Sequence, residues 1–235
     1  MTQQGLKQHI VSYADEHIYF SLERLIRHLS SKKIAYKENT LKQYLYDLVK
    51  EQKLFDAGKG WYSSIQDKCG LETVPVKDIV QQMQDHFPLL SFSCWSTRQL
   101  QPYVHHLQAG FIVFVYTDKD ALEAVTTQLM EEEYHAFENP RKRDFDRFVT
   151  QSGERQLIIV RPSISQEPVE GHFATMEKIL VDLLLEKDRS FLMDHQEYDR
   201  ILHNLINRCR INMASLLRYA GRRRVREAIE EILDL

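Results

Sequence analysis

The first 63 residues contain three segments whose apolar residues recur at helical spacing, followed by two short β-prone pieces that flank a glycine-bearing turn. The three segments lie at about 5–14, 22–29 and 40–50. A β-prone triplet at 18–20 precedes the second segment, and the hairpin pattern lies at 53–63. Helix, short strand, helix, helix and hairpin is the element order of a winged helix. We therefore predict a winged helix-turn-helix domain over 1–68.

Side chains that can cap a helix precede the second and third helical segments. Ser21 and Asn39 each stand just before the apolar-periodic residues, where a side-chain oxygen can accept a hydrogen bond from the first turn. In the third segment, leucines at helical spacing share one face, which we expect to be buried. They are Leu41, Leu45 and Leu48. We expect Trp61 to close the small core beneath the hairpin.

The opposite face of the predicted third helix carries residue types that bind DNA. A helix in the major groove buries one face in its own domain and offers the other to bases and phosphates. Gln43 can pair with adenine, Thr40 and Tyr46 can bond base edges or phosphates, and lysines can anchor the backbone. The candidate DNA-binding residues are Lys37, Asn39, Thr40, Lys42, Gln43, Tyr46, Lys50 and, in the hairpin turn, Lys59. Asp47 counts against this interpretation because phosphates repel a carboxylate, and use of the module for protein contact or dimerisation stays open.

Formal charge is distributed unevenly along the chain. The net charge is −3, yet residues 1–65 hold ten Lys and Arg against seven Asp and Glu, a balance of +3. The remaining residues carry a balance of −6. Because phosphate contact needs positive charge, only the N-terminal part is suited to double-stranded DNA. A balance of +3 is modest, so a homodimer would bind DNA more tightly than a single copy.

Strand-like and helix-like segments alternate in the second half of the chain. We predict a connector at 69–88 and an α/β domain over 89–235, with strands at 111–116, near 146–149 and at 156–161, and a helical C-terminal layer. The predicted fold class is therefore α/β (α+β), with an N-terminal winged helix-turn-helix followed by a small α/β domain.

Apolar runs and cysteines bear on the compartment of the protein. The longest strongly apolar run, 111–116, is far too short to cross a membrane, so we expect no membrane partner and a cytoplasmic protein. Cys69, Cys94 and Cys209 are odd in number and widely spaced. They therefore predict neither a disulfide framework nor a structural zinc site, and a reducing compartment fits.

Several carboxylates and histidines of the second domain are candidates for chemistry. Asp118 and Asp120 follow a buried strand, where α/β folds place metal-binding carboxylates, but we favour their capping the next helix. The other candidates are Asp144, Asp146, His105 and His106. The first two fit a nuclease-like cluster less well than a solvated loop, and the histidines lack ligand spacing. We therefore predict no catalytic residue, metal or cofactor, with a winged-helix-targeted nuclease or nucleotidyltransferase-like enzyme as the alternative.

Arginines cluster near the C-terminus of the sequence. They are Arg218, Arg222, Arg223, Arg224 and Arg226. Such a cluster can contact phosphate or an acidic partner. The alternative, which we favour, is pairing with the glutamates that lie at helical spacing, namely Glu227, Glu230 and Glu231.

Three segments of the chain together resemble a known family. They are 58–63 (GKGWYS), 173–184 (FATMEKILVDLL) and 215–223 (SLLRYAGRR). They resemble the AbiEi-like antitoxins of abortive-infection E, or type IV toxin–antitoxin, systems. In that family a winged helix precedes an antitoxin domain, whose middle segment reads Ala-Thr-x-Glu-[Arg/Lys]-x-Leu-x-Asp-Leu-Leu. Residues 89–170 match the family only in the general order of elements.

The resemblance implies a transcriptional regulator of bacterial type. Such a protein binds operator repeats to repress its own operon, and its second domain opposes a nucleotidyltransferase toxin without necessarily forming a stable complex with it. We therefore expect a non-enzymatic, DNA-binding antitoxin.

Overall fold

The computed structural model describes residues 3–103, 111–141, 156–190 and 195–234. Within these ranges no helix has both the length and the apolar composition needed to cross a membrane. The chain forms two compact units. The first comprises Met1–Cys69 and Asn204–Arg218, and the second Gly70–His203 and Tyr219–Leu235. The strand predicted near 146–149 lies outside the described residues.

The N-terminal part of the first unit contains three helices and three short strands. They are α1 (Gln3–Glu16), β1 (Tyr19–Ser21), α2 (Leu22–Ser31), α3 (Glu38–Lys50), β2 (Phe55–Asp56) and β3 (Trp61–Ser63). The strands pair antiparallel in the order β1-β3-β2, with Phe20 opposite Tyr62. The helices enclose a core because each one buries the apolar face that its sequence period predicts, including Ile10, Leu25 and Leu45.

The starts of α2 and α3 differ in how well the sequence predicted them. The Ser21 Oγ accepts a hydrogen bond from the Arg24 backbone N–H at 3.2 Å, which confirms the predicted cap of α2. The predicted cap of α3 is wrong, since the helix begins at Glu38 and Lys37 occupies the cap position. The Leu41 N–H already donates to the Lys37 carbonyl at 3.0 Å, so Asn39 lies inside the first turn.

Residues 204–218 belong to the first unit although they lie far along the chain. They comprise the end of α7 (His195–Arg208) and the beginning of α8 (Met213–Arg222). Cys209 forms a disulfide with Cys69 across 140 residues of sequence, a bridge that the cysteine spacing did not predict. The Tyr19 hydroxyl donates to the Cys209 carbonyl at 3.0 Å. Cysteine usage no longer supports a reducing compartment, because disulfides persist mainly in oxidising ones.

The described strands of the second unit form a six-stranded mixed sheet. They are β4 (Phe92–Ser96), β5 (Ile112–Thr117), β6 (His135–Glu138), β7 (Leu157–Pro162), β8 (Val169–Glu170) and β9 (Phe173–Ala174). The order is β6-β7-β5-β4-β9-β8, in which β5, β6 and β7 are parallel and β4 pairs antiparallel with β5. The helices of this unit are α4 (Val74–His86), α5 (Leu122–Glu131), α6 (Met176–Ser190) and α9 (Arg226–Ile232), together with most of α7. The predicted α/β class is thereby confirmed.

The two faces of this sheet pack against different helices. Successive side chains of a strand point to opposite faces, so Val113 and Val115 of β5 lie on one face and Tyr116 on the other. The two valines share a buried cluster with α4 and α5, whereas the Tyr116 ring lies 3.6 Å from the Lys178 Nζ of α6. Helix α4 is therefore part of this core, although we expected a connector at 69–88.

Candidate functional site

The outer face of α3 is exposed because the leucines of the opposite face fill the core of the first unit. Leu41, Leu45 and Leu48 are fully buried, while the Tyr46 side chain is 63% exposed. The exposed candidates on or beside α3 are Lys37, Asn39, Lys42, Gln43, Tyr46 and Lys50. Thr40 is half-buried at the edge of this face. The structure thus brings the predicted residues together on one polar helical surface.

Two side-chain pairs within α3 modify this surface. The Gln43 Nε2 donates to the Asp47 Oδ1 at 2.9 Å, so an amide occupies one acceptor position of the carboxylate that counted against DNA binding but leaves its charge in place. The Lys42 Nζ donates to the Glu38 Oε1 at 2.6 Å, and this hydrogen bond lowers the pKa of the Glu38 carboxyl. Lys37 and Lys50 make no ion pair with any described residue. These two lysines are therefore the cations of the α3 face with most freedom to meet phosphate.

The hairpin turn between β2 and β3 presents a basic tip. The Asp56 Oδ1 accepts a hydrogen bond from the Gly58 N–H at 2.7 Å, and the Trp61 N–H donates to the Gly58 carbonyl at 2.8 Å. Lys59 is exposed at this turn. Tyr62 packs on the core with its ring 5.6 Å from that of Phe20, and burial raises the pKa of its hydroxyl. We expected Trp61 to close the core beneath the hairpin, but its side chain is half-buried. Tyr62 is the hairpin residue that packs against this core.

The carboxylates considered for chemistry do not form a metal site in the described part of the chain. Asp118 and Asp120 are exposed at a short 3₁₀ turn (Lys119–Ala121) that leads into α5. The predicted capping of α5 is wrong, because Ala121 occupies the cap position of that helix. Asp118 precedes only the 3₁₀ turn, and its side chain makes no capping hydrogen bond. Among the described residues no group of three His, Cys, Asp or Glu side chains is placed to hold a metal ion. The other candidates, Asp144, Asp146, His105 and His106, lie outside the described residues.

The C-terminal arginines do not form one cluster. The Arg223 Nη2 lies 3.3 Å from the Asp182 Oδ1, and Arg226 pairs with Glu230 at 2.9 Å. The Arg222 guanidinium donates to the backbone and side chain of Ser165 and to Gln166. Arg218 and Arg224 are exposed, and Arg218 lies in the first unit. Pairing with the C-terminal glutamates, the predicted explanation, therefore accounts for Arg226 and not for Arg222 or Arg223.

A cluster of buried charges joins α6 and α8 to the sheet of the second unit. Lys178 is fully buried, and its Nζ lies 2.7 Å from the Asp182 Oδ2, 3.2 Å from the Glu167 Oε2 and 3.1 Å from the Tyr219 hydroxyl. Tyr219 in turn donates to the Asp182 Oδ1 at 2.8 Å. Sequence reasoning did not identify this cluster. Its signal was Lys178 and Asp182, spaced i,i+4 within the apolar stripe of α6.

The buried cluster is electrically balanced. Lys178 and Arg223 face Asp182 and Glu167, so two cations meet two carboxylates. Burial and then the nearby Asp182 raise the pKa of the Tyr219 hydroxyl, which keeps it a neutral donor. Burial, the largest single influence, would lower the pKa of Arg223, but Asp182, Tyr219, Tyr116 and Glu167 together outweigh it and the pKa is raised. The cluster is thus a set of ion pairs that ties two helices together, in which the buried Arg223 Nε has no hydrogen-bond partner among the described residues.

A cleft of about 310 Å³ opens beside the buried cluster. Its lining includes the Ser93 hydroxyl, which donates to the Glu167 Oε2 at 2.8 Å. His172 also lines it, with its ring stacked 4.0 Å from that of Phe92. The cleft therefore has the Ser93 hydroxyl and the Glu167 carboxylate in its lining, and it shares Glu167 with the ion cluster.

Comparison with known proteins places the chain in a family without assigning an activity. A family model described as a family of unknown function, DUF6577, matches residues 40–235. The match begins within α3 and includes the hairpin and the whole buried cluster. No curated protein matches the chain. Because the matched range covers most of its length, the chain belongs to this family of unknown function.

Proposed function

We propose that this chain is a DNA-binding transcriptional regulator that contacts double-stranded DNA through the outer face of α3 and the hairpin turn. The observation that carries the proposal is the exposed polar face of α3, whose lysines, amide and tyrosine share one surface of the first unit. The element order and the β1-β3-β2 sheet support an interpretation of this unit as a winged helix. In such a module the last helix before the hairpin enters the major groove.

The proposed contacts divide into positioning and base reading. Lys37 and Lys50 would neutralise phosphates on either side of the groove, and Lys59 would do so from the hairpin. Gln43 would read a base edge, which requires it to release Asp47 or to present its remaining polar atom. Asp47 can then accept a hydrogen bond from a cytosine amine. The positive charge of residues 1–65 is modest, at +3, which favours binding as a homodimer to repeated operator sites.

The antitoxin part of the proposal comes from the family resemblance. Two of the segments that carry the resemblance, 173–184 and 215–223, contact each other in the structure. They supply Lys178, Asp182 and Tyr219 to one buried cluster. We infer that the second unit opposes a nucleotidyltransferase toxin while the first represses the operon. A cytoplasmic location belongs to this proposal, and the Cys69–Cys209 disulfide is the observation that counts against it.

A double substitution tests the DNA-binding surface. Gln43→Ala with Lys50→Ala should weaken binding to the DNA upstream of the gene, with about 1 to 3 kcal/mol lost for the base contact and a salt slope lower by about one. Fluorescence anisotropy of labelled duplexes over a range of salt concentrations measures both quantities.

The matched control is Lys77→Ala with Gln84→Ala, an exposed pair on α4 that has the same spacing. This control should bind as the unsubstituted chain does. Equal DNA affinities of the two double variants would show that α3 is not the DNA-reading element.

An enzyme that processes nucleic acid is the second candidate, and the cleft that Glu167 and Ser93 line is the observation that favours it. Incubation of the chain with labelled DNA or RNA and with nucleoside triphosphates tests this candidate. Hydrolysis or nucleotide transfer that is lost on Asp118→Asn or Glu167→Gln would replace the regulator proposal.

A further inference from the structure

We propose that Arg218 of α8 is a phosphate contact beside the hairpin turn, so that the C-terminal segment 204–218 forms a third part of the DNA-binding surface. This inference rests on the proposed function, because it extends the surface made by α3 and the hairpin. Neither the matching family nor the resemblance assigns such a role to this segment.

The segment is packed directly on the hairpin turn. A Cβ atom added to Gly58 would lie 2.7 Å from the Ala214 Cβ and still closer to the Asn212 Oδ1. The Ala214 N–H approaches the Ala57 carbonyl at 3.4 Å. The first turn of α8 therefore touches the backbone of the turn that carries Lys59.

Further contacts hold the segment in this place. The Arg210 Nη1 donates to the Ile65 carbonyl at 3.0 Å, and its guanidinium lies 5.0 Å from the centre of the Phe55 ring in β2. The Cys69–Cys209 disulfide links the segment covalently to the residues that follow the hairpin. The position of α8 beside the turn is thus fixed before any DNA arrives, which limits the entropy lost on binding.

The segment changes the charge of the unit to which it belongs. Residues 204–218 contain three arginines, Arg208, Arg210 and Arg218, and no acidic residue. Met1–Cys69 alone has a balance of +3, so the complete first unit reaches +6 while the second unit carries −9. A unit with this excess of positive charge suits a polyanion.

Among the arginines of segment 204–218, Arg218 is the one best placed to contact a phosphate. It lies four residues after Ala214, hence on the same face of α8 and one turn further from the hairpin contact. Its side chain is exposed, and the described residues offer it no hydrogen bond or ion pair. Arg218 and Lys59 therefore flank the same contact between α8 and the turn. Arginine binds phosphate with two parallel hydrogen bonds, which suits the DNA backbone.

Salt-dependent binding of the full-length chain tests the inference. The probe is a fluorescent mixed-sequence duplex of about three helical turns, roughly 30 base pairs. Arg218→Gln should weaken binding and lower the slope of log K against log salt by about 0.9, the value for one lost phosphate contact. Arg218→Lys should keep most of the slope because it keeps the charge. Arg224→Gln is the control, since Arg224 is an exposed arginine of the second unit.

The possible results distinguish failure of this inference from failure of the proposed DNA-binding function. If the unsubstituted chain binds the duplex and Arg218→Gln behaves as Arg224→Gln does, the inference is overturned and the proposed function stands. If the unsubstituted chain binds no duplex at low salt, the proposed function fails and the inference with it. A loss of affinity in Arg218→Gln that leaves the salt slope unchanged would mean that Arg218 supports the packing of the surface and does not neutralise a phosphate, and would also overturn it.

Discussion

Asp182 is the carboxylate on which the polar side chains of the second unit converge. It accepts hydrogen bonds from Lys178 and Tyr219, pairs with Arg223, and has no exposed surface. Such a network is costly to break, because removal of one charge leaves its partners buried without water or a counter-ion. The same network makes the packing of α6 on α8 specific, since a shifted register would separate these groups.

Replacement of Asp182 should therefore destabilise the protein strongly. We expect Asp182→Asn to lower the free energy of unfolding by about 3 to 5 kcal/mol, because the isosteric amide leaves Lys178 and Arg223 with Glu167 alone. Urea denaturation followed by circular dichroism measures the change. Glu230→Gln, which removes the half-buried partner of the exposed Arg226, is the control and should cost less than about 1 kcal/mol. Similar losses in both variants would mean that the buried cluster is not a stabilising element.

At the scale of elements, the hairpin and α8 depend on each other through a glycine. Gly58 has a φ of +102°, and Gly60 has a φ of +76°, so both occupy backbone conformations that L side chains rarely adopt. Only Gly58 is also covered, since a Cβ at Gly60 would meet nothing within 4 Å. The pair therefore separates backbone strain from the contact with α8.

Alanine substitutions at the two glycines should differ in their effect. Gly60→Ala is expected to lower the free energy of unfolding by about 1 to 2 kcal/mol, the usual cost of a side chain in this backbone region. Gly58→Ala should cost more, because the new methyl group pushes against Asn212 and Ala214. Denaturation midpoints of the two variants provide the comparison. A loss in Gly60→Ala as large as that in Gly58→Ala would refute the close contact of hairpin and helix.

At the scale of the whole chain, one covalent bond joins residues that are 140 positions apart. Cys69 and Cys209 form this disulfide within the first unit, whereas Cys94 is a free cysteine buried in β4. Burial raises the pKa of the Cys94 thiol and keeps it unreactive in the folded protein. Closing so long a loop restricts the unfolded chain and stabilises the fold by about 2 to 5 kcal/mol.

Thiol titration distinguishes this arrangement from three free cysteines. Without reductant, the folded protein should show no reactive thiol, and the denatured protein should show one, that of Cys94. Protein that is first reduced and then denatured should show three reactive thiols. Three reactive thiols in denatured, unreduced protein would instead agree with the expectation drawn from cysteine spacing.

Local patterns in the sequence determined the elements of the first unit. The three helices, the hairpin and the cap at Ser21 follow from residues a few positions apart, because helical period, capping and turn chemistry are local properties. The same reasoning located the exposed polar face of α3. It misplaced the start of that helix by two residues. Asn39 has the side chain that favours the cap position, but the hydrogen bond from the Leu41 N–H to the Lys37 carbonyl places Lys37 there.

Tertiary structure alone decided which distant segments meet. The disulfide, the insertion of 204–218 into the first unit and the convergence of Glu167, Lys178 and Arg223 join residues whose spacing carries no periodic signal. Formal charge could be counted along the chain, but whether an arginine faces solvent, a carboxylate or a neighbouring carbonyl depends on packing. The sequence therefore specified the elements, because their energies are local, and only packing separated the C-terminal arginines into buried partners and the exposed Arg218.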